Sequence, residues 1–178
     1  AIAQITDYIT TSGSRIFGAV NYTYQQETGT TYHHYDTKTG RLLAKANSAT
    51  GDGVCYVYDA MGNLLKVKPA KHTSSGAGYT PVANAEEVSY TYDEKNQLTG
   101  ISSGNTAYSF GYDCFGNTTS AKVGDTSLAL YTYNDRNGKL KKITYANGFS
   151  EDYVYNEVEL LSEVWYTVNG TRQKAYEY

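Results

Sequence analysis

The sequence predicts an all-β protein, an antiparallel β-meander of hairpin repeats with a period of about 21 residues that forms a curved or spiralling strip. A short motif that reads as strand, tight turn and strand recurs along most of the 178 residues. Helix signals are almost absent. Twenty tyrosines supply most of the apolar surface, since Leu, Ile, Val and Phe together number only 31. This composition favours half-buried ladders of rings over a thick aliphatic core.

The clearest copy of the motif opens with Tyr56 and Tyr58. These residues are two apart, so on a strand both rings lie on one face and Val57 lies on the other. Asp59 then opens a turn that Gly62 closes, because Asp at the first position can accept a backbone N–H and Gly is free to take a positive φ. The unit is therefore a β-hairpin whose turn begins at a carboxylate.

The motif recurs with variations, and its second aromatic residue reappears every 20 to 23 residues except for one interval of 34. Two copies run one residue long, and the last complete copy carries Glu159 where Gly is expected. Turns are predicted at Asp36 to Gly40, Asp59 to Gly62, Asp93 to Asn96, Asp113 to Gly116, Asn134 to Gly138 and Asn156 to Glu159. The residues predicted to build the repeat are Tyr35, Asp36, Gly40, Tyr56, Tyr58, Asp59, Gly62, Tyr90, Tyr92, Asp93, Tyr112, Asp113, Gly116, Tyr131, Tyr133, Gly138, Tyr153 and Tyr155.

The pattern Tyr-x-Tyr-Asp-x-x-Gly-x-Leu-x-x-Ile/Val resembles the YD repeat of the RHS-repeat family over roughly residues 32 to 178. The family includes bacterial polymorphic toxins, the B and C components of insecticidal toxin complexes, cell-wall-associated proteins and the animal teneurins. The resemblance implies a long antiparallel β-strip that spirals into a hollow shell. In the bacterial members that shell encloses a C-terminal toxin segment.

For this chain the resemblance implies a structural role without catalysis, in a secreted or cell-surface protein that is most often bacterial. Its implied partners are other repeats of the parent protein and an encapsulated cargo. No catalytic residue is carried over, because the self-cleaving core that follows the repeats in many members has no recognisable counterpart here. We therefore expect no enzymatic activity and no cofactor.

The chain is expected to consist of a lead-in β-hairpin region at residues 1–31 and a repeat array at residues 32–178. The array is interrupted at residues 68–87, which hold both prolines and a Gly/Ser-rich run. Such a composition neither continues a ladder nor packs, so a surface loop is predicted. The functional alternative is an attachment loop for a partner.

After each turn, Leu is followed three residues later by Ile or Val, as in Leu64 and Val67 or Leu161 and Val164. This odd spacing places the two side chains on opposite faces of a regular strand. Either both faces of the sheet are partly covered, or a β-bulge resets the alternation. The tyrosine face is assigned to packing, and the face of the middle residue, such as Val57, to solvent or lumen.

Candidate metal ligands and nucleophiles are weakly supported. One Asp in 21 residues is typical of a turn former, since calcium sites need several converging oxygens. His33 and His34 are adjacent and face opposite ways on a strand, and His72 lies in the predicted loop. Cys55 and Cys114 stand at different repeat positions, and the spacing predicts no disulfide. We therefore expect no metal site.

The charge and hydropathy patterns exclude two classes of partner. A net charge of −3 gives no general attraction for nucleic acid, and the cluster Lys139, Lys141 and Lys142 is interpreted as a solvated strand face. No run of 18 apolar residues exists, so no membrane span is expected. The first ten residues also lack the pattern of a signal peptide.

Two functional hypotheses remain from the sequence. The first is a piece of a β-shell in which the tyrosines stack from repeat to repeat. The second is a module that binds carbohydrate or a cell-surface glycan through exposed tyrosines. The motif at Tyr176-Glu-Tyr178 stops before its turn, so open sheet edges and self-association of the isolated segment are also expected.

Overall fold

The computed structural model describes residues 4–10, 14–16, 18–73 and 78–178, which form sixteen β-strands and no helix. The prediction of an all-β antiparallel meander is confirmed. The chain divides into two compact units, unit 1 at residues 1–90 and unit 2 at residues 91–178. No helix of the described residues is long and apolar enough to cross a membrane. The strands are β1 (Gln4–Tyr8), β2 (Val20–Gln25), β3 (Gly29–Tyr35), β4 (Leu42–Asn47), β5 (Asp52–Tyr58), β6 (Leu64–Thr73), β7 (Gly78–Pro81), β8 (Val88–Tyr92), β9 (Leu98–Ser103), β10 (Thr106–Tyr112), β11 (Thr118–Val123), β12 (Thr126–Tyr133), β13 (Leu140–Tyr145), β14 (Ser150–Tyr155), β15 (Leu161–Val168) and β16 (Thr171–Glu177).

In both units each strand pairs with its neighbour in the chain. Unit 1 runs from β1 to β6, with β7 and the start of β8 both paired to β6. Unit 2 continues from the end of β8 to β16 in chain order. Antiparallel neighbours joined by short turns make contacts that are local in sequence. Each repeat is thereby built mainly on the repeat before it.

A β-bulge lies directly before the second tyrosine of the repeats whose register is defined. In β5 and β6, Tyr56 faces Val67 but Tyr58 faces Leu64, so one extra residue of β6 is accommodated between the two pairs. Residues directly opposite share a face, so Leu64 and Val67 both lie on the tyrosine face despite their odd spacing. Of the two alternatives that the spacing left open, the bulge is confirmed. The same shift occurs at His34/Tyr35, Gly111/Tyr112, Thr132/Tyr133 and Val154/Tyr155.

The two faces of the sheet differ in exposure as the motif predicts. Val57 and Val154, the middle residues of their motifs, are 39% and 37% exposed, whereas every motif tyrosine is only half-buried or better covered. The fully buried side chains are small or β-branched, and none of the large side chains of the described residues is completely buried. The packing is therefore shallow. The buried apolar residues are Ala44, Ala46, Cys55, Ala70, Ala129, Ile143 and Val164.

The prediction of a loop at residues 68–87 is wrong for much of that segment. Residues 68–73 complete β6, and Gly78–Pro81 form β7, which pairs back onto β6. Ala70 is 2% exposed and clusters with Ala44 and Cys55, against which Tyr79 packs. The run 74–77 lies outside the described residues. The two strands of the insert thus pair as a packed β-hairpin, which we call the insert hairpin (residues 68–73 and 78–81).

Pro69 is tolerated in β6 because of the side of the strand that it faces. Its carbonyl accepts a hydrogen bond from the backbone N–H of Val82 at 2.9 Å, so its missing N–H also faces away from β5. On that side β6 pairs with β8 at Lys66 and Val67, and with β7 from Ala70 onward. The proline therefore stands at the end of the β6–β7 pairing, where the partner strand changes.

Glu87 ties the first residues of β8 to β6. Its carboxylate forms ion pairs with the ammonium groups of Lys66 and Lys68, the second at 2.8 Å. The hydrogen bonds from Lys66 and then Lys68 lower the pKa of Glu87 to about 2. The register in which β8 resumes the meander after the insert hairpin is therefore fixed by charge as well as by two backbone pairs.

The first 31 residues supply two paired strands and the beginning of β3. β1 pairs with β2, but β2 pairs in turn with β3, which continues to Tyr35. Residues 11–13 and 17, between β1 and β2, lie outside the described residues. The boundary predicted at residue 31 falls within β3 and stays a prediction.

Candidate functional site: the Asx turns

All six predicted turns lie between strands, and in each the first residue accepts a backbone hydrogen bond from the last. We call them the Asx turns, since each begins with Asp or Asn. The closing residue has a positive φ in every case, including Gly62 at 105° and Gly116 at 90°. Asn96 and Glu159 adopt the same left-handed conformation without being glycine, both with φ of 62°. The turn chemistry predicted from the Asp and Gly positions is present even where Gly is missing.

The first side chain of each Asx turn holds the turn closed. In the turn that begins at Asp113, one carboxylate oxygen accepts the backbone N–H groups of Phe115 and Asn117, both at 2.9 Å. The other oxygen accepts the side-chain amide of Asn117, also at 2.9 Å. Both carboxylate oxygens thus have hydrogen-bond donors within the turn itself, which leaves them poorly suited to bind a cation. The same role is played by Asp59 with Asn63 and by Asp93 with Gln97.

These hydrogen bonds stabilise the ionised form of the turn carboxylates. Donation from the Gln97 side chain lowers the pKa of Asp93, and donation from the Asn117 side chain lowers that of Asp113. At neutral pH both groups are therefore charged acceptors rather than proton donors. These hydrogen bonds hold the carboxylates in the turn as ionised acceptors.

The amide at the fourth residue after the turn Asp was missed by the sequence reasoning. Asn63, Gln97 and Asn117 all stand at this position. The recurrence of a side-chain amide directly after the closing residue was visible in the sequence. It could have been recognised as the hydrogen-bond partner of the carboxylate.

The second tyrosine of the motif ties each repeat to the preceding one. The hydroxyl of Tyr112 donates to the backbone carbonyl of Leu98 at 2.7 Å, and that of Tyr58 donates to Leu42 at 2.8 Å. The acceptor is the first residue, or nearly the first, of the strand that follows the previous Asx turn. Tyr133 and Tyr155 make the same bond to Thr118 and Leu140 at 2.8 and 3.0 Å. The O–H donors of these tyrosines are therefore used within the fold.

Long cationic side chains add a second link between successive turns. Arg41 donates to the backbone carbonyl of Asp59 at 2.8 Å, and its guanidinium lies 5.8 Å from the centre of the Tyr58 ring. Lys139 lies 5.2 Å from the centre of the Tyr155 ring and hydrogen-bonds the backbone carbonyl of Glu159. Both cations directly follow a five-residue Asx turn. Lys139 was predicted to belong to a solvated face, and the structure assigns it this contact as well.

Two histidines, His34 and His72, contribute to an aromatic cluster around the insert hairpin, and His72 lies in β6, not in the predicted loop. His72 stacks on Tyr32 with ring centres 5.5 Å apart, and His34 contacts Tyr79 at 5.2 Å. One ring nitrogen of each of His33, His34 and His72 is buried without a hydrogen-bond partner among the described residues. Burial, followed by the charges of His72 and His33, lowers the pKa of His34.

The described residues contain no group of three or more His, Cys, Asp or Glu side chains placed to hold a metal ion. Cys55 is buried and Cys114 is exposed, and neither forms a disulfide. The expectation of no metal site stays a prediction.

Clefts open between successive Asx turns in unit 2. The larger has a volume of about 510 Å³ and lies between the turns that begin at Asp113 and Asn134, with Phe115, Tyr133 and Arg136 in its wall. A second of about 360 Å³ lies between the turns that begin at Asp93 and Asp113. Their walls combine an aromatic ring with exposed charges, and no nucleophile stands beside a base in either.

Comparisons with known proteins identify the fold. No family model matches the chain, and no curated protein sequence matches it. Among solved structures, the crystal structure of TcdB2-TccC3-Cdc42 matches with a TM-score of 0.62 and 13% identity, over 93% of this chain and 9% of that chain. Those of TcdB2-TccC3-TEV and TcdB2-TccC3 match with TM-scores of 0.53 and 0.50 and 14% identity, over 96% and 88% of this chain and 10% of those chains.

At this identity the comparisons establish the fold, and the chain spans only about a tenth of the length of the structures it matches. The antiparallel β-strip implied by the resemblance to RHS repeats is confirmed at the level of the fold.

Proposed function

We propose that this chain is a non-catalytic structural module, a segment of an RHS-type β-shell that encloses or displays a C-terminal cargo on a secreted or cell-surface protein. The observation that carries the proposal is the link between successive repeats. The hydroxyls of Tyr58, Tyr112 and Tyr155 bond the backbone of the preceding repeat, and the Arg41 guanidinium bonds that of the following one, so these polar groups hold the strip together. The fold shared with TcdB2-TccC3 supports the same function.

The hydrogen bonds of the turn carboxylates and tyrosine hydroxyls support a structural role in a shell wall rather than an enzymatic role. The carboxylate of Asp113 accepts hydrogen bonds from its own turn, and the Tyr133 hydroxyl donates to a backbone carbonyl. Catalysis requires side chains with free proton-transfer or nucleophilic capacity directed at a substrate. In this chain the repeated side chains use their polar groups in hydrogen bonds within the fold.

The alternative of carbohydrate binding through exposed tyrosines is less well supported. A sugar platform needs exposed rings in one plane, whereas the motif tyrosines are half-buried. The exposed rings Tyr176 and Tyr178 do stack at 6.4 Å. They adjoin Tyr166 edge-on and form part of a row of rings along β14 to β16. We interpret this row as packing between neighbouring strands rather than as a sugar platform.

Protease protection in the full-length polypeptide that contains these residues tests the proposal. If the segment is part of a wall, the polypeptide C-terminal to the repeats should resist a protease that digests the same polypeptide when it is expressed alone. Replacing Tyr112 and Tyr133 together by Ser removes two links between repeats and should make the cargo susceptible.

The matched control replaces Val57 and Val154, which lie on the exposed face and make no such link, by Ser. This control should leave the cargo protected. Digestion of the cargo in the wild-type polypeptide as fast as in isolation would refute enclosure.

A further inference from the structure

Several of the most exposed apolar side chains of the described residues lie in or directly beside the Asx turns. Met61, Phe115, Val158 and Leu160 are 71%, 87%, 73% and 64% exposed, and all four belong to or directly follow an Asx turn. Met61, Phe115 and Val158 occupy the same position, the third residue of the turn. The turn hydrogen bonds do not use these side chains. A large apolar residue that recurs at an exposed position is typical of an interaction surface.

In unit 2 the Asx turns follow every second strand, so they lie along one edge of the meander. We call this row the unit 2 turn edge, defined by the turns 93–96, 113–116, 134–138 and 156–159. Phe115 stands in the second of these turns, at the wall of the cleft of about 510 Å³. The ring of Phe115 protrudes beside this open cleft. The corresponding ring of a second copy can enter the cleft.

The turns on either side of Phe115 carry the same pair of charges in the same order. Glu94 and Lys95 precede it by 21 and 20 residues, and Asp135 and Arg136 follow it by 20 and 21 residues. All four side chains are exposed. The side chains of Glu94, Asp135 and Arg136 form no ion pair within the described residues. Lys95 donates one hydrogen bond to the backbone carbonyl of Cys114 at 2.9 Å.

A two-fold axis through this edge near Phe115 reverses its direction in the second copy. The turn 93–96 of one copy then faces the turn 134–138 of the other. Because both turns run from acidic to basic along the edge, reversal sets Glu94 opposite Arg136 of the second copy and Lys95 opposite Asp135 of that copy. The surface is therefore complementary to itself in charge, as an isologous interface requires.

We propose that the unit 2 turn edge is an interface between two copies of this chain, with Phe115 at its centre and the two charged turns at its rim. In protein interfaces, aromatic side chains at the centre usually contribute most of the binding free energy, and charged residues at the rim contribute less. Three turns cover less than the ~1,200 Å² of a standard interface, so the dimer is weak and depends on concentration. The proposal is independent of whether the segment encloses a cargo.

Sedimentation velocity of the 178-residue chain over a range of concentrations tests the interface. The wild type should show a reversible monomer–dimer equilibrium. Phe115→Ser should raise the dissociation constant at least about tenfold, because it removes the centre of the contact. Met61→Ser changes the same turn position in unit 1 and should leave the constant unchanged.

A charge exchange tests the orientation. Arg136→Glu and Glu94→Arg, made singly, should each weaken the dimer, since like charges then face each other at both symmetric positions. The two changes combined restore opposite charges across the axis, and should return the dissociation constant to within about threefold of the wild type. Thermal unfolding monitored by circular dichroism confirms that each variant is folded.

Several results would overturn this interface. They are a wild type that stays monomeric at every concentration, a dimer indifferent to Phe115→Ser, and a double variant no tighter than the single ones. Association through the open strand β16 is distinguished by Gln173→Lys, because a charged edge strand resists pairing. If Gln173→Lys abolishes the dimer while Phe115→Ser does not, the contact lies at the strand edge and the turn interface is refuted.

Discussion

Glu159 closes its Asx turn with a φ of 62°, a conformation that costs a non-glycine residue about 1–2 kcal/mol. Its backbone N–H still bonds the carbonyl of Asn156 at 2.9 Å, so the turn keeps its geometry despite the residue. The carboxylate lies 3.5 Å from the Lys139 ammonium, an exposed pair that offsets little of this cost. The repeat that contains Glu159 therefore lacks the closing glycine but still forms the Asx turn.

We predict that Glu159→Gly stabilises the protein by about 1 kcal/mol, because glycine adopts this φ without steric cost. Chemical denaturation should show the gain as a higher midpoint at an unchanged slope. Asn96→Gly is the matched control, since Asn tolerates the left-handed region and should gain less. A loss of stability for Glu159→Gly would show that the Lys139 contact outweighs the strain.

The hydroxyl of Tyr112 is the part of this side chain that reaches the preceding repeat, through the carbonyl of Leu98. Tyr112→Phe should therefore cost about 1 kcal/mol, the usual net value of such a hydrogen bond. Tyr131→Phe is the control, because the Tyr131 hydroxyl makes no hydrogen bond within the described part of the chain. Equal denaturation midpoints for the two variants would contradict the proposed link between repeats.

Among the strands and hairpins, the insert hairpin departs most from the sequence-based expectation. Prolines and a Gly/Ser-rich run indicated a loop, yet Ala70 and Tyr79 pack on a floor of small residues from β4 and β5. Gly53 belongs to that floor, since a Cβ at this position would lie 2.4 Å from the Lys45 carbonyl oxygen. Small residues there allow rings from β3, β6 and β7 to meet above them.

Tyr79→Ala should destabilise the protein by about 2 kcal/mol, less than the loss of a fully buried ring because Tyr79 is half-buried. Replacing residues 68–87 by a short turn should destabilise it further, whereas a true surface loop could be removed at little cost. Thermal unfolding of both variants checks this. If both melt as the wild type does, the insert hairpin contributes nothing to the fold.

The aromatic cluster around the insert hairpin, which contains His34, should also make the protein less stable on mild acidification. The lowered pKa of His34 means that the unfolded chain binds its proton more tightly than the folded chain does. The contribution is fully present above the ordinary histidine pKa of about 6.5 and is lost as the pH falls below it toward the folded value. The groups around His34 that bear charge or titrate are His72, His33 and Tyr79.

The measurement is the denaturation midpoint of the wild type and of His34→Gln between about pH 7.5 and about pH 5.5. This range brackets the ordinary histidine pKa of about 6.5. The wild type should lose stability over this range more steeply than the variant. Parallel curves for the two proteins would show that protonation of His34 does not oppose the packing of the cluster.

Across the whole chain, the sequence identified the period, the turns and the face assignment, because these depend on residues close together in the chain. Asp59 and Gly62, for example, specify their turn locally. The partners of Tyr58 and Arg41 lie 16 and 18 residues away, and only the pairing of strands reveals them. The insert hairpin was missed because its packing depends on small residues of β4 and β5, not on its own composition.

The repeat-to-repeat links make the segment suited to a wall, and imaging the full-length polypeptide that contains it by cryo-electron microscopy tests this most directly. We expect the sixteen strands to lie in the continuous β-wall of a shell, with density for a separate segment inside it. A structure in which these strands form an independent domain outside any shell, with no enclosed density, would contradict the proposed function.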